Sequence, residues 1–245
     1  MADKTQGGIS AASLPVRARF ARLLRLIPRP STNYAFQPIR PSPYDLLPPN
    51  PVIYDVGGRN ARGRYSFGPP PRDSKIICVD LVPEPGVDIV ADAHDLSIVP
   101  SGSVNCVLLV QMLTCCHTPQ RVVDEAFRIL RPGGILYIGA AFLLKMTPDP
   151  ADYYRFTPAA LVHLCRQFEV LASGSTRGPA STMCDLLIRY LALLLCCNRD
   201  RLYGVLVEVF RCALAWTKHF DRIIAHWRVA QSLYGNSYVV ARKPG

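Results

Sequence analysis

The chain has no apolar run fit to cross a membrane. Uncharged apolar stretches such as residues 190–198 fall far short of the ~20 residues a spanning helix needs. C-x-x-C pairs are also missing, which excludes zinc-ribbon spacing. Charged residues are sparse, 19% of 245 positions against 49% apolar, so the chain is not disordered throughout and can bury one sizeable core. Internal repeats are absent. No cleavable secretory signal is recognisable, because the first apolar stretch is short and laced with arginine; an Arg-rich, acid-poor start also suits an organellar transit peptide.

What is present is positive charge, concentrated at the start. The net charge is +10, and before Pro43 there are seven Lys or Arg against the single acid Asp3. Such an arm suits an anionic surface, or it is a solvated tail. Residues 1–13 read as disordered. Residues 14–27 place Phe20, Leu23, Leu24 and Ile27 at helical spacing, with Arg17, Arg19, Arg22 and Arg25 around them. This basic amphipathic helix lies on a membrane surface or caps the domain. Pro28 and Pro30 stop it, and residues 31–51 form a Pro-rich connector.

The nine cysteines sit mostly inside apolar runs and read as small buried hydrophobes. Cys115-Cys116-His117 offers soft ligands, but no second cluster completes a site, so no metal is expected. Free thiols imply a reducing compartment, hence a cytoplasmic location, at the inner face of a membrane if the basic helix is an anchor.

From residue 52 onward the pattern is alternating strand and helix. Strands are predicted at 52–56, 75–79, 87–90, 104–110, 135–142, 168–172 and 237–242. A helix is predicted at 119–130, and another opens at Thr157-Pro158. Residues 60–74 are short and rich in Gly and Pro, so the helix expected there is reduced or absent. Residues 185–227 read as two amphipathic helices broken near 198–201. The expected fold is therefore α/β: a doubly wound, Rossmann-like seven-stranded sheet, mostly parallel with an antiparallel last strand. The division is a basic helix and connector at 1–50, then a domain at 51–245 with a helical insertion at 182–230.

Nucleotide binding needs close backbone approach and a carboxylate for the ribose. Asp55-Val56-Gly57-Gly58 and Asp80 offer both. The segment DVGGRNA, the segment ending in Asp80-Leu81, the stretch VDIVADAHDLSIVPSGSVNCVLLV and LRPGGILYIG together resemble the class I S-adenosylmethionine-dependent methyltransferases, of the type 11-like kind. In that family the first segment reads D/E-x-G-x-G-x-G; here Asp55 and Gly57 match, Gly58 falls one place early, Arg59 stands where the second glycine belongs, and Ala61 replaces the third.

The resemblance implies S-adenosylmethionine as cofactor. It places the cofactor on Asp55, Gly57, Gly58, Asp80, Leu81, Asp92, Ala93 and Gln111, with Asp80 on the ribose and Asp92 at the adenine amino group. It also implies that Pro132 ends a helix and that Gly133-Gly134 make a turn. QMLTCCHTP replaces an acidic-His pair that the family often carries.

Candidate catalytic groups are His94, Asp152 and Tyr153. DYYRFTP resembles a segment near the acceptor pocket of glycan and lipid methyltransferases, with Arg155 shaping the pocket. The expected function is methylation of a small-molecule, glycan or lipid-linked acceptor; the alternative is a catalytically inactive methyltransferase-like scaffold. Peripheral membrane contact and a homodimer are further expectations. No specific nucleic-acid partner is expected, since no NPPY-like signature occurs.

Overall fold

A computed structural model describes residues 30–33, 39–58, 61–63, 65–146, 151–224 and 227–245. The predicted N-terminal helix at 14–27, the stretch 1–13 and Arg59 lie outside the described residues.

Seven strands form one sheet: β1 (Val52–Val56), β2 (Lys75–Asp80), β3 (Ile89–Val90), β4 (Val104–Val110), β5 (Leu130–Ala141), β6 (Glu169–Ser175) and β7 (Asn236–Arg242), in the order β3-β2-β1-β4-β5-β7-β6. The first five pair in parallel, and β7 runs antiparallel between β5 and β6. This is the Rossmann-like arrangement expected from the sequence. Because the chain starts in the middle of the sheet and winds out both ways, the carboxyl ends of β1 and β4 diverge there, and a crevice opens between the loops that follow them.

Alternation along the strands sends side chains to two layers. Tyr54, Val56, Val107, Leu109, Leu136 and Ile138 join the core under α1 (Pro119–Ile129) and α2 (Pro158–Leu164). Thr157 caps α2, its hydroxyl accepting from the Ala160 amide at 3.1 Å. On the opposite face Ile53, Cys106, Leu108, Ile135 and Tyr137 meet no long helix among the described residues. The residues described between β1 and β2 contain no helix. That face is covered instead by a 3-10 turn at Pro43–Leu46 and by a layer of rings, Tyr44, Tyr65, Phe67 and Tyr137, with centroids 4.5–5.6 Å apart. Aromatic area thus replaces helix area.

Two expectations are corrected. The helix α1 stops at Ile129, and Leu130 already pairs with Val104 as the start of β5. Pro132 and Gly133-Gly134 therefore lie in a strand irregularity, not in a turn between helix and strand. Gly133 takes φ +76°, its amide donates to the Lys243 carbonyl, and the Lys243 amide donates to the Gly134 carbonyl, so β7 closes over the kink. The second helix of the C-terminal stretch also ends early. The observed helices are α3 (Pro179–Leu195) and α4 (Asp200–Leu214), followed by a 3-10 stretch at Ala215–Phe220 and one turn of helix, α5 (Asp221–Ile224).

Asp221 opens this last turn of helix. It is fully buried and turns back to the start of α3, where it accepts from the amides of Ala180 (2.8 Å) and Ser181 (3.0 Å) and from the Ser181 hydroxyl (2.6 Å). A carboxylate there satisfies orphan helix donors and meets the positive end of the helix dipole. A β-carbon at Gly178 would lie 2.5 Å from the Asp221 carboxylate, so the cap requires glycine at that position. The α3–α4 hairpin, with its own small core of Cys184, Ile188, Ala192 and Val207, is thereby fastened over the crevice end of the sheet.

Candidate active site

Two cavities lie at the carboxyl ends of the central strands. The first is a cleft of about 330 Å³ above β1, β2 and β4. It brings together seven of the residues named from the sequence: Gly57, Asp80, Leu81, Asp92, Ala93 and Gln111 from the cofactor set, and His94 from the catalytic candidates. Val56, Val79, Ala91, Met112, Cys115 and Cys116 complete its walls. Cys115 and Cys116 had been weighed only as soft metal ligands, and the other four were not singled out, because apolar residues at strand ends carry no chemical signal. The Cys116 thiol is pushed up to about 12, first by burial, so it stays a neutral wall group. No group of metal-ligating side chains occurs among the described residues.

Asp55 and Gly58 do not line this cleft. Asp55 lies on the other face of β1, fully buried, where its Oδ2 accepts from the Gly63 amide and its Oδ1 from the Tyr65 hydroxyl, both at 2.7 Å. The Tyr44 hydroxyl donates to the Gly63 carbonyl, tying the same loop to the aromatic layer. A β-carbon at Gly58 would fall 2.1–2.3 Å from the Asp55 carboxylate. The early glycine thus makes room for this acid. Gly57, at φ +75°, makes room for Met112: a β-carbon there would lie 2.8 Å from Met112 Cβ. The turn after β1 is therefore held from below by Asp55 and pressed from the side by the loop after β4.

Gln111 ends β4 in the left-handed region, at φ 59°, and its amide donates 2.7 Å to the Gly139 carbonyl. A non-glycine residue held in this conformation is uncommon and collects at functional sites. On the opposite wall, Asp92 Oδ1 lies 2.7 Å from His94 Nδ1 and 2.9 Å from the His94 amide. The amide bond is the leading cause that holds the Asp92 carboxyl below its ordinary range. The buried His94 Nε2 has no hydrogen-bond partner among the described residues. The His117 ring packs 4.3 Å from that of His94.

The second cavity, about 210 Å³, shares Gln111 with the first. Asp152 and Arg155 line it, and so do Lys145, Arg177, Asp185 and Arg189. The segment that carries Asp152 is pinned to the loop after β4: the amides of Tyr153 and Tyr154 donate to the Thr114 carbonyl at 2.8 and 3.3 Å. Arg155 holds both Asp152 oxygens. Tyr153 lines neither cavity and is 57% exposed. Sequence reasoning missed the convergence of Arg177, Asp185 and Arg189. The only signal was a charge interrupting the apolar face of a predicted helix.

A family model described as a methyltransferase domain matches residues 69–138, which begin beyond the altered glycine turn. No curated protein matches the chain. A protein from Galdieria sulphuraria, assigned as a sarcosine dimethylglycine methyltransferase, superposes with a TM-score of 0.51 at 12% identity, over 82% of this chain and 81% of that one. The 1,6-didemethyltoxoflavin-N1-methyltransferase of Burkholderia thailandensis, solved with its acceptor and S-adenosylhomocysteine, gives 0.50 at 15% identity, over 100% of this chain and 94% of that one. At these identities the likeness is one of fold.

The Asp55 network generates a pH-dependent prediction. Burial raises its carboxyl above the ordinary 3.8, while the bonds from Tyr65 and Gly63 and the charge of Arg62 pull it back. The folded state therefore binds this proton more tightly than the unfolded chain. The resulting stabilisation is complete below 3.8 and is lost as pH rises through the raised folded value. Tyr65→Phe removes a bond that favours the ionised form. Urea unfolding should show a loss of about 1–3 kcal/mol at neutral pH and a smaller loss near about pH 5. Equal losses at both pH values would mean that Tyr65 does not act through an ionising Asp55.

Proposed function

We propose that this chain, which carries a class I methyltransferase domain and is a methyl-transferring enzyme of that fold, binds S-adenosylmethionine in the first cleft and presents an acceptor to it from the second. The observation that carries this reading is the sharing of Gln111: one residue, held in a left-handed conformation, stands in the walls of both cavities.

The cleft suits the cofactor. Its volume lies within the ~300–1,000 Å³ of small-molecule sites. Asp80 ends β2 where a ribose carboxylate is needed, and Gly57 lets the ligand approach the backbone. Asp80 and Asp92 offer negative charge to a cationic ligand. When bound, S-adenosylmethionine would supply an electrophilic methyl group.

The protein's part is alignment and exclusion of water. Because His94 is tied to Asp92, we assign it to the nucleobase end of the cleft, where it orients that carboxylate. Asp152 has both oxygens on Arg155 and serves to position that guanidinium instead of taking a proton. Tyr153 is exposed, lines neither cavity and is given no catalytic role. Asp55 and Gly58 act at one remove, by holding the turn.

Titration calorimetry tests the cofactor assignment. S-adenosylmethionine and S-adenosylhomocysteine should both bind the wild-type chain, and Asp80→Ala should weaken both by about tenfold or more, ~1.4 kcal/mol. Absence of binding to folded wild-type protein would leave the inactive-scaffold alternative.

A specific observation favours an amphiphilic or lipid-linked acceptor over a freely soluble one. Large apolar side chains stand exposed along the helical stretch between β6 and β7, among them Tyr190, Leu193, Leu194, Trp216, Ile223 and Trp227, beside Arg199, Arg201 and Arg222. No helix among the described residues is long and apolar enough to cross a membrane, so the contact would be peripheral. Liposome flotation should recover the protein with vesicles that contain anionic lipid. If it floats with neither neutral nor anionic vesicles, the membrane reading is lost.

A further inference from the structure

The second cavity carries more positive charge than its own carboxylates neutralise. Lys145, Arg155, Arg177 and Arg189 face Asp152 and Asp185, four cations to two anions, an excess of two. Both carboxylates are already engaged, Asp152 with Arg155 and Asp185 with Arg189 at 2.9 Å, with Arg177 at 3.9 Å from Asp185. Lys145 is exposed and makes no ion pair among the described residues.

Arg177 is the least satisfied of the four. Its side chain is only 11% exposed. Its stem crosses Gly235, where a β-carbon would lie 2.5 Å from Arg177 Cδ, so the backbone has been kept clear for it. Nη2 donates to the Thr32 hydroxyl and the Ser181 carbonyl, each at 3.1 Å, while the buried Nε has no partner among the described residues. Burial lowers the pKa of this guanidinium, with Asp185 pulling it back. A buried guanidinium with a distant counter-charge and an unused N–H is costly. A carboxylate or phosphate would supply both the charge and an acceptor.

We propose that this cavity is an anion site that grips a carboxylate or phosphate of the methyl acceptor through Arg177, Arg189 and Lys145. The proposal rests on the donor reading above for the word acceptor, but the anion site itself does not. Asp152 and Asp185 hold Arg155 and Arg189 in place and prevent the cations from repelling one another apart. An anion paired with guanidinium is a poor nucleophile, so it is the handle; the atom that takes the methyl group lies elsewhere on the same molecule, towards Gln111. Neutral analogues of the acceptor would leave the buried guanidinium unpaired and would be rejected.

The test uses the full chain saturated with S-adenosylhomocysteine and titrated calorimetrically with inorganic phosphate and, separately, acetate. At least one anion should bind at millimolar concentration. Arg177→Gln should weaken it by about tenfold or more, and the exposed Lys145→Gln by a smaller factor. S-adenosylhomocysteine affinity should be unchanged in both variants, which also reports that they are folded. If Arg177→Gln fails to fold, Lys145→Gln still decides, since it lies on the surface.

Flotation with phosphatidylcholine vesicles, with and without phosphatidate, separates the sources. Phosphatidate-dependent flotation lost in Arg177→Gln assigns the handle to a lipid headgroup; phosphate binding without flotation assigns it to a soluble acceptor. Folded protein that binds S-adenosylhomocysteine but neither anion, or binds them equally well in both variants, overturns the anion site and leaves the donor reading standing. Anion binding without S-adenosylhomocysteine binding overturns the donor reading alone.

Discussion

Both cavities depend on how the chain leaves β4. Gln111 turns into the left-handed region at a cost of about 1–3 kcal/mol for a non-glycine residue, and its amide is held to Gly139 of β5. That turn sends Met112 against Gly57, so the loop after β4 closes on the loop after β1. It also presents the Thr114 carbonyl to the amides of Tyr153 and Tyr154, which fixes the segment bearing Asp152 and Arg155. One strained residue therefore sets the width of the first cleft and the position of the second.

The remaining framework compensates for what this chain has in place of a full helix after β1. An aromatic layer and a 3-10 turn cover that face, and a buried carboxylate ties the layer to the turn. Asp55 is placed to do this because strand alternation points it away from the cleft. Its ion is tolerated because two donors meet it at 2.7 Å, and Gly58 gives it space. The departure from the family's glycine spacing thus has a physical use in the fold: the displaced glycine accommodates the acid instead of the ligand. At the start of α3 Asp221 does comparable work, fastening that helix so that Arg177, Asp185 and Arg189 reach the second cavity.

Much of this was legible in the sequence where chemistry and strand ends coincide. Asp80 and Asp92 stood at the ends of strands that periodicity located, and both line the cleft. Asp55 looked the same by that criterion, because a strand-end acid beside glycine reads alike whichever face it takes. LRPGG read as a turn because Pro and Gly punctuate most turns, yet the sheet took Leu130 into the ladder first. Arg177 and Arg189 could not be paired from sequence, since a cation on a helix is ordinarily a solvated one. Their meeting with Asp152 and Lys145 is a tertiary event, and it depends on a cap supplied from some forty residues downstream.

The account stands on the two cavities meeting at Gln111, and the most direct measurement is a crystal structure with S-adenosylhomocysteine bound. The adenine should lie beside Asp92 and His94, the ribose hydroxyls on Asp80, and the thioether sulfur at Gln111 with an open path into the cavity of Arg177 and Arg189. A sulfur directed away from Gln111, or an adenosine seated outside the first cleft, would contradict it.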